Sequence, residues 1–301
     1  MKAVVMAGGE GTRLRPLTCN IPKPMMPVFD KPVMEYSLEL LKKYGIRDIA
    51  VTLQYLPGAV EGYFQNGRDM GLNIRYFIED TPLGTAGSVK NAEEFLDETF
   101  IVISGDALTD FPLDEAFGFH RSRGALATLV LTRVESPLEY GLVLTDQDGR
   151  IRRFLEKPSW GEVFSDTVNT GIYILEPEAL QYIKPKTVFD FSRYLFPYFL
   201  AQGKALYGCI LQGYWCDIGN CQQYRQVHID ILDGKVKVDI PGERDGDIII
   251  GKGSHIAPRV HLEGPLYIGA NSYIASGARI LPYTVLGQGA LVEANASIKK
   301  S

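Results

Sequence analysis

The chain has 301 residues, of which 46% are hydrophobic and 22% charged, and its formal net charge is −5. This size allows one large domain with a buried core and a smaller second one, while the negative charge argues against a nucleic-acid partner held by bulk electrostatics. No apolar run approaches the roughly 20 residues that span a bilayer, and the N-terminus lacks the layout of a signal peptide. We therefore expect a cytoplasmic protein with neither a membrane nor a nucleic-acid partner.

The chain begins with an apolar segment that runs into a glycine-rich loop. Residues Ala3–Ala7 are predicted to form a buried parallel strand. The glycines that follow this strand are Gly8, Gly9 and Gly11. Because glycine has no side chain, such a loop lets backbone N–H groups approach phosphate oxygens. Glycine-rich turns after strands are common, however, so the glycines alone favour an ordinary turn.

Two cationic residues, Arg13 and Lys23, follow the loop. A planar guanidinium suits two phosphate oxygens at once and a lysine acts as a mobile point charge, so the pair can bind adjacent phosphoryl groups. Pro22 and Pro24 flank the lysine and hold its backbone extended. The spacing matches neither the dinucleotide-binding fingerprint nor the ATPase phosphate loop. We therefore predict a triphosphate-binding loop of another type.

Strand-like and helix-like segments alternate up to residue 104. The predicted strands are Ala3–Ala7, Asp48–Leu53, Ile74–Ile78 and Phe100–Ser104, and the predicted helices are Met34–Tyr44, Ala59–Gln65 and Ala86–Phe95. This alternation is typical of parallel βαβ units, whose ligand crevice lies at the carboxyl ends of the strands. An antiparallel lobe is expected from about residue 125, with strands Ala127–Arg133, Gly141–Thr145, Ile151–Glu156 and Gly171–Ile174 and a closing helix, Phe189–Gln202.

Two aspartates are candidate metal ligands. The predicted strand Phe100–Ser104 leads into Asp106, which places a carboxylate at the crevice, where a magnesium ion bridging phosphates would bind. Asp217 lies between an aromatic residue, Trp215, and a glycine, Gly219. A single aspartate after a strand is more often a cap or turn residue, so these two are informative only together with the cationic loop.

The C-terminal segment has a six-residue period. Its aliphatic positions are Ile250, Ile256, Leu262, Ile268, Ile274, Ile280, Leu286, Val292 and Ile298. Hexapeptide periodicity is typical of a β-helix, and at about 18 residues a coil the segment holds nearly three coils. Some hexapeptide proteins are acyltransferases, but His255 and His261 are the segment's only histidines, so we favour a structural or assembly role in a homo-oligomer. The predicted domains are residues 1–235 and 236–301.

Residues Gly8–Pro24 resemble the entry motif of the sugar-1-phosphate nucleotidyltransferases, Gly-Gly-x-Gly-Thr-Arg-Leu-x-Pro-Leu-Thr-x-x-x-Pro-Lys-Pro, at every fixed position. The resemblance implies an α/β fold, with a Rossmann-like domain built on a mixed, mainly parallel sheet, and the tail resembles left-handed hexapeptide β-helices. It implies catalytic roles for Arg13 and Lys23, and Mg²⁺ held by Asp106 and Asp217. The nucleotide-binding residues it implies are Ala7, Gly8, Gly9, Gly11, Thr12, Glu79, Pro82, Gly84 and Thr85. Those implied for the sugar 1-phosphate are Tyr140, Gly141, Glu156, Lys157 and Asn169.

The identity of the base depends on Glu79. Guanine presents two adjacent donors that one carboxylate can accept, whereas uracil and thymine suit the glutamine found here in relatives that use thymidine nucleotides. The sequence looks most like mannose-1-phosphate guanylyltransferases, which implies GTP and mannose 1-phosphate as small-molecule substrates. The alternatives are UTP or dTTP with glucose 1-phosphate, or a regulatory subunit that binds nucleotide sugars without turnover.

Overall fold

A computed structural model describes residues Met1 to Ser301. The α-helices are α1 (Val33–Lys43), α2 (Pro57–Phe64), α3 (Gly84–Asn91), α4 (Leu113–Arg123), α5 (Phe196–Ala201) and α6 (Cys221–Leu232). The strands up to residue 217 are β1 (Lys2–Met6), β2 (Pro27–Val28), β3 (Lys31–Pro32), β4 (Asp48–Leu53), β5 (Asn73–Ile78), β6 (Phe100–Ser104), β7 (Ala107–Thr109), β8 (Ala127–Arg133), β9 (Gly141–Thr145), β10 (Ile151–Glu156), β11 (Thr167–Leu175), β12 (Leu206–Ile210) and β13 (Trp215–Asp217). None of the helices combines the length and the apolar content that crossing a membrane requires.

The N-terminal half of the main sheet is parallel, as predicted. Strands β5, β4, β1 and β6 lie side by side in that order and run in the same direction. The chain passes from β1 outward to β4 and β5 and then returns to β6 on the other side of β1. In such sheets a ligand crevice opens where the strand order reverses, at the carboxyl ends of the strands. The glycine loop after β1 and Asp106 after β6 both lie there.

The sheet continues beyond β6 in antiparallel form, which confirms the predicted mixed sheet. Strand β11 pairs with β6, β8 and β9, and its register shifts between Asn169 and Tyr173. The predicted helix Phe189–Gln202 is wrong in its first half, because a π-helical turn, Phe191–Leu195, precedes α5. Pro197 in the first turn of α5 has no N–H to donate, so a regular α-helix cannot run through this point.

Both faces of the sheet are buried, because β1 alternates its side chains between two apolar layers. Ala3 and Val5 belong to one cluster of 25 buried residues, and Val4 belongs to a second cluster of 24 on the opposite face. This explains why the strands are continuous apolar runs in the sequence. The rigid sheet in turn fixes the positions of the loops at its carboxyl edge.

A buried histidine holds α4 against the sheet. The side chain of His120 lies 2.8 Å from the Thr128 hydroxyl through Nδ1 and 3.0 Å from Glu176 Oε1 through Nε2. Burial lowers the pKa of His120, although the Glu176 carboxylate opposes this effect. The neutral imidazole is therefore the form that the fold favours.

We expect this histidine to make stability depend on pH. Because the pKa of His120 is lower in the folded state, the unfolded chain binds more protons as the pH falls below about 6.5, and each pH unit costs at most about 1.4 kcal/mol per proton. The contribution is complete above that pH and is lost as the pH falls through the folded-state pKa. The free energy of unfolding is measured with urea at several pH values between 5 and 8. It should change less steeply with pH in His120→Gln than in the wild type, and an equal dependence on pH would contradict the assignment.

The C-terminal segment forms a β-helix with three faces, whose strands are parallel except for the first, which pairs antiparallel with the second. Its strands are β14 (Glu243–Asp245), β15 (Ile248–Ile250), β16 (His255–Ile256), β17 (His261–Leu262), β18 (Leu266–Ile268), β19 (Tyr273–Ile274), β20 (Arg279–Ile280), β21 (Thr284–Leu286), β22 (Leu291–Val292) and β23 (Ser297–Ile298). Strands 18 residues apart pair in register, so Ile250 lies beside Ile268 and Ile268 beside Leu286. All nine predicted positions occupy such rungs.

One carboxylate makes three of the contacts that attach the β-helix to the larger domain. Asp30, between β2 and β3, accepts hydrogen bonds from the Tyr267 hydroxyl at 2.8 Å and from the backbone N–H groups of Ala270 at 2.8 Å and Gln288 at 2.9 Å. The ring of Phe29 packs edge-on against Tyr267 at 4.7 Å. These contacts hold the β-helix against a hairpin that begins shortly after Lys23.

Candidate active site

The glycine loop makes close contact with the segment that carries Lys23. Gly11 has a φ of +66°, and a Cβ there would lie 3.0 Å from both Lys23 Cβ and Thr18 Cγ2. The Thr18 hydroxyl donates to the Gly11 carbonyl at 2.7 Å. Glycine therefore meets both a backbone and a packing requirement at position 11. A short 3₁₀ turn then begins and carries Arg13.

The two aspartates are brought together by a pair of short strands. Strands β7 and β13 are antiparallel, and Asp217 lies opposite Ala107, the residue after Asp106. The Ser104 hydroxyl donates to Asp106 Oδ1 at 2.5 Å, which orients that carboxylate. Residues separated by more than 100 positions in the sequence thus form one acidic site.

Lys23 lies between the two carboxylates. Its Nζ is 2.5 Å from Asp106 Oδ2 and 3.2 Å from Asp217 Oδ1, and the residue is only 8% exposed. Burial would lower the pKa of Lys23, but the two aspartates outweigh that effect and raise it. The ammonium therefore stays charged, as a buried cation with two anionic partners must.

The two carboxylates are not equivalent. Burial would raise the pKa of Asp106, but Lys23 and the Ser104 hydroxyl lower it. Burial and repulsion by Asp106 raise the pKa of Asp217, because the single ammonium is already shared. The charges of Lys23 and Arg13 oppose this rise, so the two carboxylates lie beside two cationic side chains.

The donor set fits magnesium. The structure contains no group of three or more His, Cys, Asp or Glu side chains that could hold a metal ion by themselves. Magnesium is commonly bound by one or two carboxylates together with water and substrate phosphates, so two aspartates at a phosphate site are sufficient. Asp106 and Asp217 are the residues that would hold it.

Two adjoining cavities meet at this acidic site. One has a volume of about 280 Å³, and its lining includes Gly8, Gly9, Glu79, Pro82, Gly84 and Thr85. The other has a volume of about 320 Å³, and its lining includes Arg13, Lys23, Tyr140, Gly141, Glu156, Lys157, Asn169 and Asp217. Asp106 and Thr85 line both. We refer to them as the nucleotide cavity and the sugar-phosphate cavity, after the predicted roles of their residues.

The sugar-phosphate cavity has two unusual backbone features. A Cβ on Gly141 would lie 2.7 Å from Glu156 Oε2, so only glycine allows this carboxylate to approach. Lys157 has a φ of +47°, an unusual value for a residue with a side chain. Burial and the nearby carboxylate of Asp190 raise the pKa of Glu156. The strained backbone and the half-buried acid are typical of a functional site.

Comparison with known proteins identifies the family. The family model for nucleotidyl transferases matches residues 2–234, and the model for bacterial transferase hexapeptide repeats matches residues 247–282. The chain is 38% identical to the UTP–glucose-1-phosphate uridylyltransferase of Synechocystis sp., over 100% of this chain and 82% of that protein. It is 34% identical to the mannose-1-phosphate guanylyltransferase of Mycobacterium tuberculosis, over 99% and 83%. The chain belongs to the sugar-1-phosphate nucleotidyltransferases.

A solved structure also resembles this nucleotidyltransferase. HddC from Yersinia pseudotuberculosis, complexed with GMP-PN, matches with a TM-score of 0.66 and 26% identity, over 76% of this chain and 99% of that one. Family membership confirms the prediction of an enzyme, and it confirms the predicted fold. It leaves the base and the hexose open, because the two curated relatives differ in both.

Glu79 lines the nucleotide cavity of this nucleotidyltransferase but also organises its own loop. Its Oε2 accepts the backbone N–H of Leu83 at 2.9 Å, and its Oε1 accepts the Ser88 hydroxyl. The residue is 6% exposed. Each oxygen keeps a further lone pair, so contact with a base remains geometrically open while the loop contacts persist.

Three predicted nucleotide-binding residues, Ala7, Gly11 and Thr12, line neither cavity. The backbone N–H of Ala7 donates to the Thr52 carbonyl at 2.9 Å, so the sheet uses this group. Gly11 contacts the side chains of Thr18 and Lys23 instead. Their predicted contact with nucleotide stays a prediction.

Three residues of this nucleotidyltransferase that line the cavities or contact their lining are absent from the sequence-based set. Gln54 follows β4 and lines the nucleotide cavity, a position that the end of a parallel strand could have indicated. Gln223, on α6, accepts the Gly219 N–H at 2.9 Å and reaches the Tyr140 hydroxyl at 3.3 Å. Trp215 donates from its indole N–H to the Thr170 carbonyl at 3.1 Å. The last two depend on contacts between distant segments, which no local pattern reveals.

Proposed function

We propose that this enzyme transfers a guanylyl group from GTP to mannose 1-phosphate, giving GDP-mannose and pyrophosphate. The observation that carries the choice of base is the carboxylate of Glu79 at the nucleotide cavity, since a carboxylate accepts well from the adjacent N1–H and N2 amino groups of guanine. The guanylyltransferase relative and the relative solved with GMP-PN support this choice.

A second candidate is uridylyl or thymidylyl transfer from UTP or dTTP to glucose 1-phosphate. The uridylyltransferase relative favours UTP, because it is 38% identical over the whole chain. The contacts of Glu79 with Leu83 and Ser88 also favour it, because they give the carboxylate a structural task that is independent of the base.

In either case the reaction is a displacement at the α-phosphorus. An oxygen of the sugar phosphate forms a bond to this phosphorus, and the bond from the α-phosphorus to the oxygen bridging to the β-phosphate breaks, releasing pyrophosphate. We assign Lys23 to the α-phosphate and the attacking oxygen, and Arg13 to the leaving pyrophosphate. Positioning and charge neutralisation carry the rate, and no general base is needed because the attacking phosphate is already ionised.

Magnesium is part of the proposal. Held by Asp106 and Asp217 when bound, it would neutralise phosphate charge that develops as pyrophosphate leaves. With the ion at the two carboxylates, the Lys23 ammonium would be available to phosphate oxygens.

A pyrophosphate-release assay tests the proposal. GTP, UTP, dTTP and ATP are crossed with mannose 1-phosphate and glucose 1-phosphate in the presence of Mg²⁺, for the wild type and for Glu79→Gln. We expect the wild type to turn over GTP with mannose 1-phosphate. In Glu79→Gln, kcat/KM should fall by about tenfold for GTP and should not fall for the other nucleotides. Turnover confined to UTP or dTTP with glucose 1-phosphate would contradict the proposal that the enzyme selects guanine. An equal loss for all nucleotides would assign Glu79 to loop structure.

A further inference from the structure

One segment of the chain, Phe189–Ser192, contacts both cavities. On the nucleotide side, the Phe189 carbonyl accepts the backbone N–H groups of Ala86 and Gly87, each at 3.0 Å. A Cβ on Gly84 would lie 2.6 Å from the same carbonyl oxygen. The start of α3 is therefore held directly against this segment, and glycine makes that approach possible.

The two carboxylate oxygens of Asp190 accept hydrogen bonds from two different segments of the chain. Its Oδ1 accepts the backbone N–H groups of Ser192 at 2.9 Å and Arg193 at 3.1 Å, which caps the π-helical turn. Its Oδ2 accepts the hydroxyl of Thr85 at 2.9 Å. The Thr85 oxygen in turn accepts the backbone N–H of Phe191 at 3.0 Å. A capping role needs only the first oxygen, so the second one is available to hold the nucleotide loop.

The same segment reaches the sugar-phosphate cavity. Ser192 Oγ accepts from Asn169 Nδ2 at 3.2 Å, and both residues line that cavity. The remaining amide hydrogen of Asn169 points to the Tyr173 hydroxyl at 3.0 Å, so the Asn169 side chain is held on two sides. Thr85, Asp190, Ser192 and Asn169 thus form one chain of hydrogen bonds between the cavities.

We propose that Asp190 is a positioning residue, which fixes the nucleotide loop relative to the sugar-phosphate cavity through Thr85 and Ser192. The inference rests on the proposed function, since it assigns the two cavities to the two substrates. The attacking oxygen and the α-phosphorus come from different substrates, so their distance depends on how the two cavities are held together. A misplacement of about 1 Å can cost about a hundredfold in rate.

A double-mutant cycle tests the contact. Asp190→Ala and Thr85→Val are each expected to raise the KM of both substrates and to lower kcat/KM roughly 10- to 100-fold. The double variant should be no worse than either single variant, because all three lose the same interaction. Thr85→Ser keeps the hydroxyl and should lose several-fold less than Thr85→Val. Ser192→Ala should raise the KM of the sugar phosphate alone.

The matched control is Asp146→Ala. Asp146 also accepts two backbone N–H groups, those of Asp148 at 3.0 Å and Arg150 at 2.9 Å, and also binds a side chain, Arg152, but it lines neither cavity. The Asp146→Ala variant should have a lower melting temperature, while the KM values of both substrates should be unchanged. The proposal is overturned if Asp190→Ala behaves in the same way, or if the losses in the cycle are additive. If Asp190→Ala does not fold, the comparison of Thr85→Val with Thr85→Ser decides.

Binding measurements separate this proposal from the proposed function. Dissociation constants for GTP with Mg²⁺ and for mannose 1-phosphate are measured by calorimetry on the same variants. A wild type that binds both without turnover would overturn the proposed function alone. The effects of the single and double variants would then be compared through these dissociation constants. If another substrate pair turns over, the cycle uses that pair. A wild type that binds neither nucleotide nor sugar phosphate would overturn both proposals.

Discussion

Replacing Asp217 with Asn is expected to abolish magnesium-dependent turnover, with a fall in kcat/KM of roughly 10²- to 10⁴-fold. The asparagine has almost the same size but no negative charge, so the proposed magnesium site loses one of its two anionic ligands. The fold should remain intact, because Asp217 lies beside Asp106 and the substitution relieves repulsion between neighbouring carboxylates. Pyrophosphate release over a magnesium titration, together with urea unfolding, measures both effects.

Asp110 supplies a matched control for this substitution, because it lies four residues after Asp106 and directly follows β7. Its Oδ1 accepts the Tyr214 N–H at 2.7 Å and its Oδ2 accepts the Lys237 N–H at 2.9 Å, so its role is to hold backbone. Asp110→Asn should lower stability and leave the magnesium dependence of turnover unchanged. Substantial retained activity in Asp217→Asn would remove Asp217 from the proposed metal site.

The parts of the fold that sequence predicted well are those set by local periodicity. The β-helix is the clearest case, because a six-residue period fixes both the strands and their register, as the pairing of Ile256 with Ile274 shows. The parallel strands were predicted from another local pattern, the alternation of apolar runs with helix-like segments. The helix predicted over Phe189–Gln202 failed in its first half, where Asp190 caps a π-helical turn that precedes Pro197 and that apolar periodicity does not indicate.

The candidate site was predictable only in part. The glycine loop and Asp106 follow strands directly, so the order of elements placed them at the crevice. Asp217 needed the family resemblance, because its position depends on the pairing of β13 with β7 across more than 100 residues. The contact between Thr85 and Asp190 and the loop contacts of Glu79 depend on side-chain geometry. No spacing rule in the sequence encodes such contacts.

Replacing Lys23 with Met is expected to lower both activity and stability. The side chain keeps its length but loses the cation assigned to the α-phosphate, so kcat should fall by roughly 10³-fold. The same change removes the ammonium that Asp106 and Asp217 share, although the Arg13 guanidinium still acts on Asp217. Breaking this buried contact should lower the free energy of unfolding by about 2–3 kcal/mol, a reduced figure because part of the Asp217 side chain is exposed. Urea unfolding and pyrophosphate release measure the two losses.

The stability of Lys23→Met is expected to depend on Mg²⁺. If Asp106 and Asp217 bind Mg²⁺, adding it should restore part of the stability of Lys23→Met, since binding to the folded state alone stabilises that state. Lys31→Met is the matched control, because Lys31 is a partly buried lysine paired with Glu39 at 2.6 Å and lines neither cavity. It should lose stability that Mg²⁺ does not restore. If Mg²⁺ affects both variants alike, the two aspartates have no special affinity for the ion, and Lys23 serves only to neutralise them.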